Sequence, residues 1–273
     1  MQTSKDYILA MKNIFVFLFL FCGLSVLYAQ DVTREITSSE VPDNDVLLLY
    51  RNEQEFGVVV HSGGWGLNYR RGKHVTGYKK RVLELEFVGM KHPKEIKLKR
   101  SDIDVKGYFY GKLNAITVLR GGYGYHKVIT GKNHRRGIEL RLVTLAGLSF
   151  ALAKPVYLKI LHFEPDSNSS LSLKYTSVVE KYDPQNPLHT PNNNILGRAS
   201  YFVGIGETKI YPGAFFKMGL GFEHAALDDA IKLFEIGVII DAYAQTVPIM
   251  TNIKNNQVFV NVYLNIMLGK KWF

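Results

Sequence analysis

The chain has eight histidines and one cysteine, and these bound the covalent and metal chemistry it can hold. No histidine stands in a His-Glu-x-x-His frame, and no serine in Gly-x-Ser-x-Gly. No closely spaced set of His and carboxylates matches a zinc site. Two places keep a catalytic reading: His61-Ser62 at a strand end, and His162 beside a long polar connection, where a rim-located base would act on lipid or peptide. Glu164, Asp166 and Asn168 alternate around Pro165 and offer oxygens for Ca²⁺, but the full loop spacing is missing and a solvated loop accounts for them. Thr130-Gly131-Lys132-Asn133 shares letters with a P-loop, yet His126 stands where Gly is required and Asn133 replaces Ser or Thr. Gly204-Ile205-Gly206 lacks the third glycine of a dinucleotide fingerprint. The expectation is a protein that is not an enzyme and uses no cofactor and no metal.

Charges set among apolar residues carry more information. Arg70, Glu84, Glu86, Glu139, Arg141, Lys217, Glu223, Glu235 and Asp241 each sit in a row that alternates with a nearly uncharged apolar row. Turned into the interior of a small closed sheet, they would be costly unless paired, so they are expected to form a salt-bridged lumen network. Such a network is either structural packing or a polar path for ions and small solutes. Basic clusters form a second set: Arg70 to Arg81, Lys132 to Arg136, and the loop bearing Lys91, Lys94, Lys97, Lys99 and Arg100. Near an anionic membrane surface these residues would contact headgroups or a partner protein.

The elements that position these side chains read as strands. Val258, Val260, Val262, Leu264, Ile266 and Leu268 occupy every second position, with Asn261, Tyr263, Asn265 and Met267 between them. That is the period of one long β-strand with an apolar face. The same signature appears at Phe56-Val58-Val60, at Trp65-Leu67-Tyr69, and at Leu83-Leu85-Phe87 against Glu84 and Glu86. It recurs over 138–152, 199–206, 214–223 and 234–243. About ten such signals recur without a 20–50-residue sequence repeat, which excludes a solenoid. Whether Val156 to Ile160 continues the strand beyond Pro155 or pairs back decides the strand parity, and both readings stand at this point.

With its long final strand and the ending Gly269-Lys270-Lys271-Trp272-Phe273, the chain resembles the outer-membrane β-barrel proteins of Bacteroidota. The resemblance implies an all-β, transmembrane antiparallel barrel of about ten strands (range 8–12) in the bacterial outer membrane. Alternation alone does not say which face is inside. Two features favour apolar rows outward. The polar rows also hold Gly57, Gly66, Gly147, Gly219, Gly221 and Gly237, which suit a crowded lumen, and Trp65, Tyr69, Tyr243 and Trp272 stand near strand ends as in an aromatic girdle.

The N-terminus agrees. Lys12 precedes an apolar run from Ile14 to Leu27, and Ala29 follows, which is the shape of a secretory signal peptide over residues 1–30, with Met11 an alternative start. Cys22 lies inside it, with Phe21 where a lipobox needs a small residue. Cleavage would remove that cysteine, so the mature chain would have no disulfide or thiolate chemistry. The formal charge of +10 would fall by one, with Lys5, Lys12 and Asp6 lost. In an exported chain this basic balance points to lipid headgroups and lipopolysaccharide rather than nucleic acid. The organisation expected is therefore a signal peptide (1–30), a periplasmic arm (31–53) and a barrel (54–273). Three functions remain open: a non-enzymatic structural or interaction subunit of an envelope or secretion assembly, a narrow porin-like channel, and a rim-located enzyme. Other outer-membrane or periplasmic proteins are the partners of the first.

Overall fold

A computed structural model describes residues 52–99, 106–130, 138–165, 173–189, 194–224 and 230–272. The expected signal peptide, the expected arm up to residue 51, Arg100, the 132–136 cluster, Asp166 and Asn168 lie outside the described residues. The strands are β1 (Asn52–His61), β2 (Gly64–Thr76), β3 (Lys79–Met90), β4 (Lys97–Leu98), β5 (Tyr108–Phe109), β6 (Asn114–Thr130) and β7 (Ile138–Pro155). They continue as β8 (Tyr157–Pro165), β9 (Leu173–Lys181), β10 (Ile195–Arg198), β11 (Lys209–His224), β12 (Ala230–Tyr243) and β13 (Val258–Trp272). Eight of them close into one antiparallel barrel in the order β1-β13-β12-β11-β7-β6-β3-β2. The last strand does meet the first: Phe56 pairs with Leu268 and Val60 with Leu264. Closure leaves no sheet edge, so every strand finds partners on both sides.

Eight strands lie at the lower end of the expected range, and the surplus signals have a physical explanation. Pro155 cannot donate to a ladder, and β7 ends there. The backbone N–H of Val156 donates to the Leu113 carbonyl at 2.9 Å, so the chain turns off the barrel. The 156–160 segment pairs back as β8 in a separate three-stranded sheet, β10-β8-β9. The strand expected over 199–206 is instead a set of turns and a 3-10 turn at Ile205–Glu207. Gly204 there takes φ 79°, a left-handed backbone that suits glycine, with the Tyr157 ring packed where a Cβ would stand. The basic cluster from Arg70 to Arg81 is strand except at Gly77-Tyr78, since β2 runs to Thr76 and β3 starts at Lys79. The barrel also begins at Asn52, which places Glu53 in a strand rather than in the arm.

Burial is inverted relative to a soluble calyx. Phe56, Val58, Val60, Leu67, Leu83, Phe87, Met218, Ile236, Val260 and Ile266 are exposed on the outer wall, whereas Arg70, Glu84, Arg120, Arg141, Lys217, Glu235 and Asp241 are buried inside. The expected face assignment therefore holds strand by strand. One member of the expected aromatic girdle does not hold: Tyr243 is only 5% exposed and points into the barrel, because odd-numbered positions of β12 face the lumen. Glycines in the polar rows make room for large lumen side chains. A Cβ on Gly237 would sit 2.9 Å from Tyr263 Cε1, and one on Gly219 would collide with its hydroxyl.

A strand needs about 9–11 residues to cross a bilayer, whereas β6, β7 and β11 have 17, 18 and 16. These three project beyond the others and carry the second sheet. That sheet has its own apolar core of Tyr108, Leu158, Ile160, Tyr182 and Ile195, so it forms a rim module joined by β4 and β5.

The inverted wall makes one substitution decisive. Leu85 is 49% exposed between Leu83 and Phe87; if this row faces lipid, Leu85→Arg should destabilise the barrel in vesicles by about 2–4 kcal/mol. Urea unfolding from vesicles measures this, and unchanged stability would mean that this row does not face lipid.

Candidate functional site

The lumen network arises directly from strand register. Glu55, Arg70 and Glu84 are cross-strand neighbours on β1, β2 and β3, and Glu86, Arg120 and Ser149 on β3, β6 and β7. Side chains on one face of paired strands meet at such positions, so opposite charges placed there pair locally. Arg70 Nε donates to Glu84 Oε2 at 2.7 Å and Arg70 Nη1 to Glu55 Oε2 at 3.3 Å. Arg120 pairs with Glu86 through a short contact.

Each of these cations also reaches across the interior. Arg70 on β2 donates to Glu235 Oε2 on β12 at 2.9 Å, and Arg120 on β6 grips Asp241 on β12 through Nε at 2.8 Å and Nη2 at 2.7 Å. Lys217 on β11 donates to Glu84 Oε1 at 2.7 Å and Glu86 Oε2 at 3.1 Å on β3. Partners in these three sets stand three places apart around the eight-strand ring. Arg141 on β7 lies 3.7 Å from Glu55 on the diametrically opposite β1, and pairs with Glu139 and Glu223 on its own side. Tyr263 Oη donates to Glu235 Oε1 at 2.6 Å, and Ser149 Oγ donates to Asp241 Oδ1 at 3.1 Å. The lumen is therefore strutted from wall to wall.

All nine residues expected in the network lie in it. Sequence reading missed Glu53, Glu55, Lys80, Arg120, Ser149 and Tyr263. Lys80 donates to Glu53 at 2.6 Å. Glu53 was missed because it was placed in the arm, and Lys80 because it was counted only in the basic cluster from Arg70 to Arg81. Arg120 fell in the gap between the strand signals at Ile116 to Leu119 and Tyr123 to Ile129, although Ile116, Val118, Arg120, Gly124 and His126 share one inward row of β6. That parity, carried through the glycines, is the signal that finds it.

Apolar packing closes one end as well. The β12–β13 connection folds inward, burying Val247, Ile249 and Met250 against Val59, Val88, Ile116, Phe215 and Tyr243. Asn255 holds its shape, accepting from Ile249 N at 2.9 Å and donating to the Met250 carbonyl at 2.9 Å. It is tied to the wall by Leu113 N on the Ile249 carbonyl at 2.9 Å, and by Asn114 Nδ2 on the Pro248 carbonyl at 2.7 Å.

The residues with a catalytic reading are separated. Ser62 Oγ donates to Asn261 Oδ1 at 2.8 Å, and His61 Nδ1 accepts from Gly63 N at 3.1 Å, so the two side chains do not form a nucleophile–base pair. His162 Nε2 lies 2.6 Å from Glu180 Oε1, and His189 Nε2 lies 3.2 Å from Glu180 Oε2. This cluster joins β8 and β9 to the 3-10 turn at Pro187–His189. Hydrogen bonds from His189, and then from His162, hold the Glu180 carboxyl below its ordinary pKa. Among the described residues, no group of three or more His, Cys, Asp or Glu side chains has the arrangement of a metal site.

The basic clusters divide between the two ends. Lys73 and Lys79 lie near the turn at Gly77-Tyr78, at the same end as Asn52 and Trp272. Lys91, Lys94, Lys97 and Lys99 lie at the opposite end, beside the rim module.

Two outcomes follow. Arg70→Met leaves Glu55, Glu84 and Glu235 buried with less neutralisation and should cost about 3–5 kcal/mol in unfolding experiments, with part recovered by adding Glu84→Met. A double variant no more stable than the single one would contradict this assignment. For Glu180, the folded pKa lies below the unfolded one, so its stabilisation is present above the ordinary carboxylate range and lost as pH falls through the folded value. Hydrogen exchange in β8 and β9, corrected for intrinsic rates, should rise over that acidic interval in the wild type, and Glu180→Gln should remove the step.

No protein family and no curated protein matches the sequence. Among solved structures the chain is similar to Neisserial surface protein A, with 7% identity over 82% of this chain and 97% of that one, at a TM-score of 0.39. It is also similar to Ail, the attachment invasion locus protein of Yersinia pestis, with 10% identity over the same shares and a TM-score of 0.35. At these identities and TM-scores neither likeness adds to what the structure itself shows. Neither comparison bears on a Bacteroidota origin. Among the described residues the chain forms an antiparallel, closed barrel of eight strands and is all-β in its regular elements apart from two 3-10 turns.

Proposed function

We propose that the protein is an integral outer-membrane barrel that acts as a non-enzymatic structural or interaction subunit of an envelope or secretion assembly. One observation carries this reading: an apolar outer wall surrounds a lumen crossed by four cations, Arg70, Arg120, Arg141 and Lys217. Such a barrel has lipid as its solvent and side chains as its filling. The Val247–Met250 segment adds an apolar stopper. A narrow channel is the weaker alternative, because ion pairs spanning the lumen occupy the space that a solute path needs. Rim enzymology is weaker still, since Ser62 and His61 face different partners.

What remains for function is the outside of the rim, built from β4, β5 and β8–β10. Its placement on the three longest barrel strands makes it a rigid platform for envelope partners. The narrower resemblance to Bacteroidota barrels is a proposal resting on the signal sequence and the terminal strand alone.

In cells the protein should fractionate with outer membranes and show heat-modifiable migration in detergent gels. Reconstituted in planar bilayers, it should give no discrete conductance steps. Regular steps in the wild type would overturn the structural-subunit reading in favour of the channel, and recovery in the soluble periplasm would remove the membrane reading altogether.

A further inference from the structure

A cavity of about 550 Å³ lies outside the lumen, where the β2–β3 wall meets β4, β5 and the rim sheet. Its volume falls within the ~300–1,000 Å³ range of small-molecule sites. The floor is Trp65, Leu67 and Phe87, exposed on the outer wall, and Tyr108, Tyr157 and Tyr201 of the rim stand over it. No Asp or Glu lines it, but five cations do. Two of these are engaged: Lys112 pairs with Glu95 at 2.7 Å, and Lys154 donates to the Val203 carbonyl at 3.2 Å beside the Tyr201 ring. Lys91, Lys97 and Arg198 are exposed, and their charged ends have no ion pair or hydrogen bond among the described residues.

The occupant follows from charge and position. The floor continues the lipid-facing wall, so acyl chains reach it directly from the bilayer. The lining offers three exposed cations to an anion, and Lys and Arg bind phosphate through charge-assisted hydrogen bonds. The cavity lies at the end that carries the 91–113, 156–208 and 244–257 connections beside the short 62–63 one, while the end with both barrel termini has only the short 77–78, 131–137 and 225–229 connections. Outer-membrane barrels keep short turns on the periplasmic side and long loops outside. On the outer-membrane reading above, which this step requires, the cavity opens at the outer leaflet.

We infer that this cavity binds one phosphorylated, multiply acylated glycolipid of the outer leaflet, of the lipid A type, with acyl chains on Trp65, Leu67 and Phe87 and phosphate at Lys91, Lys97 and Arg198. The loop cluster that the sequence marked as basic thereby acts with Arg198, a residue more than ninety positions further along the chain.

The test uses the full mature chain folded in nonionic micelles and titrated with diphosphoryl lipid A, with bound lipid counted by native mass spectrometry. The wild type should bind saturably, with affinity falling as salt rises. Lys91→Gln/Lys97→Gln/Arg198→Gln should bind at least tenfold more weakly and keep wild-type heat-modifiability, whereas Lys73→Gln/Lys79→Gln at the opposite end should bind as the wild type does. Dephosphorylated lipid A should bind like the triple variant, and phosphatidylglycerol more weakly than lipid A. Equal binding by wild type and triple variant, or indifference to phosphate, would overturn the site. Equal affinity for phosphatidylglycerol would overturn the choice of ligand. A barrel that folds and fractionates with outer membranes but fails these titrations loses only the cavity, while one absent from the outer membrane loses the reading beneath it.

Discussion

Charge neutralisation inside a closed wall is the constraint on which the rest of the structure depends. Taking Arg70, Arg120, Arg141 and Lys217 out of water is costly, and the cost is offset only where carboxylates meet them with good geometry. Strand register supplies the first partner of Arg70 and Arg120, because Glu84 and Glu86 stand opposite them on the next strand. Barrel curvature supplies the second by bringing β12 within reach of β2 and β6. A one-residue slip of any contributing strand would turn its charges onto the apolar outer wall and its Leu, Phe and Val residues into the lumen. The ionic filling therefore specifies register as much as it stabilises.

The same inversion explains the division of labour along the barrel axis. In the middle, Arg, Lys, Glu and Asp fill the interior; at the rim end, Val59, Val88, Ile116, Phe215 and the inserted Val247, Ile249 and Met250 replace them. Apolar residues there need no partners, so a connecting segment can fold in and close the barrel without adding unpaired charge. The length of β6, β7 and β11 carries the rim sheet beyond the other strands.

The rim module draws its stability from a different source than the barrel does. Its small core of Tyr108, Leu158, Ile160, Tyr182 and Ile195 is that of a water-facing sheet. Polar ties on its surface, Lys181 to Glu207 at 2.8 Å and Glu180 to His162 and His189, join strands to turns. One chain thus holds two burial schemes, charges inside the barrel and apolar residues inside the rim, and Pro155 marks the change from one to the other.

Period-two alternation was enough to determine that the chain forms long two-faced strands, and glycines within the charged rows were enough to turn those rows inward. The nine network residues were legible for that reason, since a side chain's face follows from its parity within a strand. Parity does not say where a strand ends or which strand lies beside it. Glu53 and Arg120 were lost at misplaced strand ends, Lys80 within a basic cluster, and Tyr243 was assigned outward although its row faces in. The eight-strand count, the departure of β8 after Pro155, the ion pairs that span the lumen and the meeting of Lys91 and Lys97 with Arg198 were decided by the tertiary structure alone. Each depends on contacts between residues far apart in the chain, and those distances are set by barrel closure, which no local pattern of residues encodes.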